Sequence, residues 1–205
     1  MIKKVLMLAI LLGLATFAKA QVKETFDSNS WQWTEYSTDK GKAYIIEGVM
    51  RLESKSDDYN NTSLVDILGS VATHAFLPMD PIKGFDLKCT ATLEKFEGKK
   101  MFGIILDYFD DFNCLVFMIK DDFACLYKIK DGRIVRQWKN QFKLQKGKKN
   151  TTLDIEINYR GGELEFRVND VQSLMCRYVP IESNGFGFFA FGKCKVDFDD
   201  VEIIN

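Results

Sequence analysis

A short acidic stretch between two apolar runs contains the first residues whose types could do chemistry. Residues 103–121 read GIILDYFDDFNCLVFMIKD, and seven consecutive positions of this stretch include Asp107, Asp110, Asp111 and Asn113. Carboxylates this close together can bind a metal ion, act as acid and base, or cap the backbone of a turn. A calcium loop has oxygen ligands at alternate positions and bends at a glycine, whereas the polar residues here are spaced 107, 110, 111, 113 with no glycine among residues 107–113. The pattern therefore favours a hairpin turn, with ligand contacts from its rim as the alternative.

The sequence lacks the motifs for nucleophilic catalysis and for nucleotide binding. His74 is the only histidine in the chain, and its surroundings, VATHAF, contain no nucleophile elbow and no partner motif for a serine or cysteine nucleophile. No glycine-rich loop follows a strand pattern and opens a helix, so the sequence does not support nucleotide chemistry.

With no complete catalytic motif in the sequence, ligand recognition is the remaining class of function. Sugars are bound by aromatic faces together with carboxylates and amides that take the hydroxyl groups. Arg136 and Trp138 alternate in RIVRQWKNQ, so an indole and a guanidinium are expected on one face of a strand. Burial of the aromatic rings in a large β core is the competing interpretation. The ligand-binding candidates are Trp138, Arg136, Tyr108, Asp107 and Asn113.

The elements that must position these side chains are strands. Apolar and polar residues alternate over 85–94, and again over 153–160 and 163–168 on either side of Gly161-Gly162, which is typical of a hairpin. No segment after residue 20 sustains a helical apolar stripe. Segments 102–107 and 113–119 are apolar on both faces, so we expect them at the centre of a sheet that is covered on both sides. Further strands are predicted near 43–47, 49–54, 123–129, 133–139, 171–178, 186–191 and 194–203. The pattern predicts an all-β fold, either a closed barrel or two packed antiparallel sheets.

The first twenty residues have the features of a secretory signal peptide. Lys3 and Lys4 precede a short apolar run, and Ala18-Lys19-Ala20 places small residues before Gln21. The apolar run is shorter than the roughly 20 residues that a transmembrane helix needs. We therefore expect a signal peptide over 1–20, a single domain over 21–205, no membrane insertion after cleavage, and a periplasmic or extracellular location.

Charge gives a further expectation about partners. Removal of residues 1–20 takes away three lysines and no acid, which leaves 25 basic and 29 acidic residues and a net charge of −4. Because the two signs are interspersed along the chain as a whole, we expect neither nucleic acid nor anionic lipid as a partner.

The five cysteines allow two interpretations. Their number is odd, so they cannot all pair within the chain, and Cys89, Cys114, Cys125 and Cys194 alternate with apolar residues in a strand pattern. They are either buried thiols or include one or two disulfides, which an exported protein permits. Ligand pairs at zinc spacing are missing, so we expect no structural zinc.

Several stretches, in their order along the chain, resemble a known superfamily. They are Phe26-Asp27 with Trp31, AYIIEGVMRLES (43–54), FGIILDYFDDFNCLVFMI (102–119), LQKGKKNTTLDIEINYRGGELEFRVND (144–170) and GFGFFAFGKCKVDFDDVEI (185–203). Together they resemble the concanavalin A-like lectin/glucanase superfamily, the jelly-roll group that includes laminin G-like domains, in an exported protein of bacterial type. The resemblance implies a two-sheet antiparallel β-sandwich, but such a fold supports many functions.

The resemblance also implies where chemistry would be found. Glucanases of the superfamily present carboxylates as Glu-x-Asp-x-Glu, and this chain has Thr152-Leu153-Asp154-Ile155-Glu156, which lacks the leading Glu. Asp154 and Glu156 are therefore the candidate catalytic pair of a divergent glycoside hydrolase. Related binding modules hold a structural calcium ion near the last strand, which makes Asp27, Asp199 and Asp200 candidate calcium ligands. No other cofactor is expected.

The function expected from these observations is a non-catalytic module that binds carbohydrate or a cell-surface partner. A divergent glycoside hydrolase and a purely structural or protein-interaction laminin G-like domain are the alternatives.

Overall fold

The computed structural model describes residues 21–55, 71–120, 123–141 and 151–205, and of residues 95–100 only the backbone. The expected signal peptide lies outside the described residues. In the described part of the chain, no helix has both the length and the apolar character needed to cross a membrane.

Thirteen strands and one short 3-10 helix make up the described part of the chain. Their bounds are β1 Gln21–Glu24, β2 Tyr36–Ser37, β3 Gly41–Ile46, β4 Val49–Ser54, β5 Ala72–Phe76, the 3-10 helix Pro81–Lys83, β6 Phe85–Asp110, β7 Asn113–Lys120, β8 Phe123–Lys130, β9 Arg133–Gln141, β10 Thr151–Arg160, β11 Glu163–Val168, β12 Val171–Cys176 and β13 Gly185–Ile204.

Tight turns explain why so many strands follow one another directly. Among the described residues, four hairpins close through two residues that both have positive φ, as in Asp131-Gly132 between β8 and β9 and Gly161-Gly162 between β10 and β11. Positive φ at both central positions is the geometry of the type I′ turn, whose twist matches that of paired strands. The predicted Gly161-Gly162 hairpin is therefore confirmed.

All strand pairs are antiparallel, and they form two layers. The back layer has the order β12-β11-β10-β6-β13-β4-β3-β2, with β1 also paired to β13. The front layer has the order β9-β8-β7-β6-β13-β5. The first half of β6 and the second half of β13 belong to the back layer, and their other halves belong to the front layer.

These two long strands correct the sequence prediction in one respect. Separate strands were expected over 85–94 and 102–107, and over 186–191 and 194–203, but each pair forms one continuous strand. Within β13 the register shifts around Gly192, which has φ 97°, so a β-bulge lets the strand pass between layers without a turn.

The main hydrophobic core lies between the two layers. Phe117 of β7 stacks on Phe166 of β11 with 4.2 Å between ring centroids, and Phe188 stacks on Phe198 from the other half of β13 at 4.1 Å. All four rings are buried. Contacts of this kind between facing sheets define a β-sandwich, which confirms the predicted fold class.

A second apolar cluster covers the outer face of the front layer. Ile105, Val116 and Met118 point to this face, while Ile104, Leu115 and Phe117 point into the main core. Segments 102–107 and 113–119 are buried on both faces, as predicted. The other buried members of this outer cluster are Met101, Tyr108, Cys114, Ile129, Phe189 and Phe191.

All five cysteines are buried, and Cys89, Cys114, Cys125 and Cys176 carry free thiols. Burial raises the pKa of the Cys114 thiol to about 12, which leaves it protonated and unreactive at neutral pH. The structure favours the interpretation of these residues as small hydrophobic side chains.

Candidate functional site

The acidic stretch forms the turn between β6 and β7, as predicted. Asp110 accepts hydrogen bonds from the Phe112 backbone N–H at 2.8 Å and from the Asn113 amide at 2.9 Å. The Asn113 side-chain oxygen accepts from the Asp131 N–H at 3.2 Å, in the neighbouring β8–β9 turn. Both ends of the Asn113 amide are thus engaged in holding two adjacent turns together.

Asp107 lies at a β-bulge just before this turn. The register shifts between Leu106 and Asp110, and Asp107 itself has φ 50°. Its side chain is buried, and one carboxylate oxygen accepts from the backbone N–H groups of Glu182 and Ser183, each at 2.8 Å. Burial raises the pKa of Asp107, and the two N–H donors oppose that shift. Asp107 therefore anchors the connection between β12 and β13.

The bulge places Tyr108 against a residue of β5. The Tyr108 and His74 rings stack with 4.5 Å between centroids and 28° between planes. The Tyr108 hydroxyl donates to Asp111 at 3.1 Å, and His74 Nε2 lies 3.3 Å from the Thr34 hydroxyl oxygen. The Tyr36 hydroxyl accepts from the Ala72 N–H of β5 at 2.7 Å. We call the rings of His74, Tyr108, Tyr36 and Phe76, together with Asp111, the aromatic cluster.

Two glycines of β13 let the rings meet. Gly187 pairs with His74, and Gly185 pairs with Phe76 on the adjacent strand. A Cβ atom at Gly185 would lie 2.1 Å from the Tyr108 backbone oxygen, so a larger residue would displace Tyr108. Glycine at these positions leaves room for the side chains of β5 and β6 to approach across β13.

Exposed apolar surface continues from the stacked pair. Phe76 is 60% exposed and lies two residues from His74 in β5, on the same sheet face. Phe109 and Phe112, next to Tyr108 and in the turn, are each 55% exposed. The cluster therefore combines a partly buried ring stack with aromatic faces that solvent reaches.

The electrostatics of the cluster centre on Asp111, which is exposed. Burial lowers the pKa of His74, and the Asp111 charge opposes this shift. Burial also raises the pKa of Tyr108, with the charge and hydrogen bond of Asp111 adding to the effect, and raises the pKa of Tyr36. At neutral pH the cluster presents uncharged rings, hydroxyl groups and one carboxylate, which is the mixture that recognises sugars.

Trp138 and Arg136 lie elsewhere, on the core-facing side of β9. Trp138 is partly buried, packs against the main core and pairs with Leu126 across the hairpin. The Arg136 guanidinium lies 4.5 Å from the centre of the indole ring and donates to the Tyr178 carbonyl at 2.9 Å. One face of the indole is therefore covered, and the pair joins the front layer to the chain that follows β12.

The candidate catalytic carboxylates lie on the outer face of the back layer. Asp154 is exposed, and Glu156 forms ion pairs with Lys88 at 3.0 Å and Arg167 at 3.6 Å. Its neighbours on this face of β6 and β11 are thus basic and engaged with it. This placement is that of a solvent-facing strand.

The candidate calcium ligands lie near the end of β13. The register of β13 shifts between Asp199 and Glu202, and Asp200 has φ 52°, which is the geometry of a β-bulge. Asp200 pairs with Lys23 at 2.5 Å, and Asp27 accepts from the Thr25 hydroxyl at 2.8 Å. In residues 21–55, 71–120, 123–141 and 151–205, no group of three or more His, Cys, Asp or Glu side chains is placed to hold a metal ion.

Comparison with known proteins bears on the fold. No family model matches the sequence, and no curated protein matches it. A β-glucanase of Bacillus licheniformis aligns with a TM-score of 0.62 at 10% identity, over 92% of this chain and 99% of that chain. A protein of unknown function with a galectin-like fold from Bacillus subtilis aligns with a TM-score of 0.56 at 10% identity, over 89% and 94%.

A third solved structure is a variant of the GH43 protein BlXynB of Bacillus licheniformis. It aligns with a TM-score of 0.59 at 12% identity, over 89% of this chain and 39% of that longer chain. The protein therefore has a concanavalin A-like jelly-roll fold. At these identities the likeness extends to the fold alone.

Sequence reasoning identified part of the aromatic cluster. It selected Tyr108 and the acidic turn, but it set His74 aside because no catalytic partner stood nearby in the sequence, and Phe76 was not considered. The available signal was the alternation of His74 and Phe76 in THAF, which places both side chains on one face of a strand.

Proposed function

We propose that this protein is an exported, non-catalytic β-sandwich module that binds carbohydrate through the aromatic cluster. The observation that carries the proposal is the stacking of the His74 and Tyr108 rings. The Tyr108 hydroxyl donates a hydrogen bond to Asp111, and the exposed Phe76 lies on the same sheet face as His74. Rings pack against the C–H faces of a sugar, and a carboxylate and hydroxyl groups bind its hydroxyls.

A binding experiment on the chain from Gln21 tests this. Soluble glycans are screened on an array, and the best ligand is titrated by calorimetry against the Phe76→Ala and Asp111→Asn variants. We expect each change to weaken binding by about 1–3 kcal/mol, or roughly 5- to 150-fold in Kd, with little change in Tm. Both side chains are exposed, so neither change opens a cavity.

Ile82→Ala is the matched control, because Ile82 is also an exposed apolar side chain but lies on the 3-10 helix. Its Kd should stay within about twofold of the parent. Binding that is equally weakened in all three variants, or unchanged in Phe76→Ala and Asp111→Asn, would reject the aromatic cluster as the binding site.

A structural or protein-interaction role is the second candidate, because a specific observation favours it. The outer face of the front layer is filled by buried apolar side chains such as Val116, Met118 and Phe189, whereas a sugar groove along this face would have polar lining. If no glycan binds, and if Phe76→Ala weakens only the association with another protein, the structural or protein-interaction role is the better account.

Export is part of the proposal and has its own test. Secreted or periplasmic protein should begin at Gln21 when its mass is measured. Retention of residues 1–20 in the mature pool would contradict export through a cleaved signal peptide.

A further inference from the structure

The β8–β9 hairpin carries an excess of positive charge. Residues 123–141 contain five basic residues and one acid, Asp131, for a net charge of +4 in a chain whose total is −1. Interspersed charge, as expected from the sequence as a whole, therefore does not describe this hairpin. The basic residues are Lys128, Lys130, Arg133, Arg136 and Lys139.

Four of these cations face one another across the hairpin. Lys128 pairs with Arg136, and Lys130 pairs with Arg133. Lys128 and Lys130 are two residues apart in β8, and a register shift next to Lys128 brings Arg133 and Arg136 opposite them, so all four share one face. This is the face of the hairpin that also carries Trp138. Lys128 is half-buried there, and the other three side chains are exposed. Like charges directly opposite each other destabilise a sheet. We call these four side chains the basic face.

Several basic residues elsewhere form ion pairs with acidic neighbours. Arg51 pairs with Asp197, Lys88 with Glu156, and Arg160 with Asp86. Among the described residues, none of the basic-face side chains forms an ion pair within 4 Å. Lys128 is close enough to Asp107 to oppose the rise in the pKa of that buried carboxyl, and Arg136 donates to a carbonyl.

The hairpin also offers little for base stacking. Arg136 covers one face of Trp138, and the Lys139 ammonium lies 3.7 Å from the centre of the Phe123 ring. Single-stranded nucleic acid is bound by open aromatic platforms as well as by positive charge, so the basic face suits a different anion. Its two rows of cations are about 7 Å apart along the strands, and an extended polymer with regularly spaced acidic groups can follow them.

We propose that the basic face binds an acidic polysaccharide, with its carboxylate or sulfate groups between the two rows of cations. This inference rests on the proposed carbohydrate-binding function and specifies the class of glycan. A bound anion would replace the cation–cation repulsion within each cross-strand pair by attraction.

The experiment measures binding of the chain from Gln21 to polygalacturonate and to dextran sulfate, with dextran as the neutral probe, at 50 and 500 mM NaCl. We expect at least one acidic polymer to bind at least tenfold more tightly than dextran at low salt, and the difference to shrink at high salt. The Lys130→Gln/Arg133→Gln double variant should lose at least tenfold of that affinity. Lys83→Gln/Lys88→Gln, which removes the same charge from other surfaces, should stay within about threefold.

A stability measurement keeps the test independent of ligand choice. Lys130→Glu places a carboxylate opposite Arg133 and should raise Tm by about 1–3 °C. An unchanged or lower Tm would contradict the repulsion on which the inference depends.

The remaining outcomes separate the two proposals. Binding to dextran or another neutral glycan without preference for acidic polymers overturns this inference and leaves the proposed function standing. Binding to no glycan at all rejects both. Equal affinity for polyglutamate or a single-stranded oligonucleotide, lost in the same double variant, would show a general polyanion surface and would overturn the assignment to polysaccharide.

Discussion

Replacement of Asp107 tests whether this residue holds the front layer to the β12–β13 connection. In Asp107→Ala the backbone N–H groups of Glu182 and Ser183 lose their acceptor. The buried Ser183 donor costs about 1–3 kcal/mol when it is unsatisfied, and the partly buried Glu182 donor costs about 1 kcal/mol. Alanine also adopts the positive φ of this position at a cost of about 1–2 kcal/mol. We therefore expect a loss of about 3–6 kcal/mol in the free energy of unfolding, or roughly 6–24 °C in Tm for a chain of this size.

Asparagine and glycine at the same position separate the contributions. Asp107→Asn keeps an oxygen acceptor and tolerates positive φ, so it should change the free energy of unfolding by less than about 1 kcal/mol. It also removes the buried charge, and since burial raises the pKa of Asp107, the ionised form is the one the fold disfavours. Asp107→Gly loses the acceptor without the φ strain and should fall between the other two variants.

The assay is thermal and urea unfolding at pH 7, followed by far-UV circular dichroism, with Asp39→Ala as the control because Asp39 is exposed. The reasoning is refuted if the alanine variant is as stable as the asparagine variant. It is equally refuted if asparagine is as damaging as alanine, since the negative charge and not the acceptor would then matter.

Four further outcomes are expected. Trp138→Ala should lower the free energy of unfolding by about 2–3 kcal/mol, because the indole packs against the main core, and glycan binding that falls without any loss of stability would instead place a ligand on this ring. The pKa of His74 is lowered by burial, so the contribution of this residue to stability is present above the unfolded-state pKa of about 6.5. That contribution is lost as pH falls below this value, because the unfolded chain then binds a proton more readily than the folded one. Between pH 7.5 and 5.5, Tm should therefore fall less in His74→Gln than in the parent. Asp154→Asn with Glu156→Gln should leave glycan binding unchanged, and loss of a glycan-cleaving activity in this variant would support the hydrolase alternative. EDTA should change Tm by no more than about 2 °C, and a drop of about 10 °C or more, the size expected from losing roughly 2–4 kcal/mol of ion binding, would establish a bound metal ion.

The fold could be predicted from the sequence because the alternation of apolar and polar residues along a strand indicates which side chains lie on which face of a sheet. In residues 153–160 and 163–168, alternation with period two and the Gly-Gly turn between them predict the hairpin. In segments 102–107 and 113–119, continuous apolar residues predict burial on both faces, which the structure shows. The passage of β6 and β13 between layers was missed. A glycine such as Gly192 can mark a turn or a bulge, and only pairing with distant strands distinguishes the two.

The candidate site was harder to predict because its parts are distant in the sequence. His74 and Tyr108 are 34 positions apart, and they meet only because the intervening strand places Gly185 and Gly187 between them. The positive charge of the β8–β9 hairpin, by contrast, can be read from the sequence. Residues 123–150 contain nine basic residues and one acid, but the net charge of the whole chain does not show this local excess.

The sharing of β6 and β13 by both layers has a consequence for the order of assembly. β13 contains 20 of the last 21 residues and pairs with β1, β4, β5 and β6. Neither layer can close before β13 is available, so a chain still emerging from the ribosome has two incomplete sheets with open edges. Formation of the native state therefore depends on contacts between the two ends of the sequence, which is the situation in which folding is slow and premature association is a hazard.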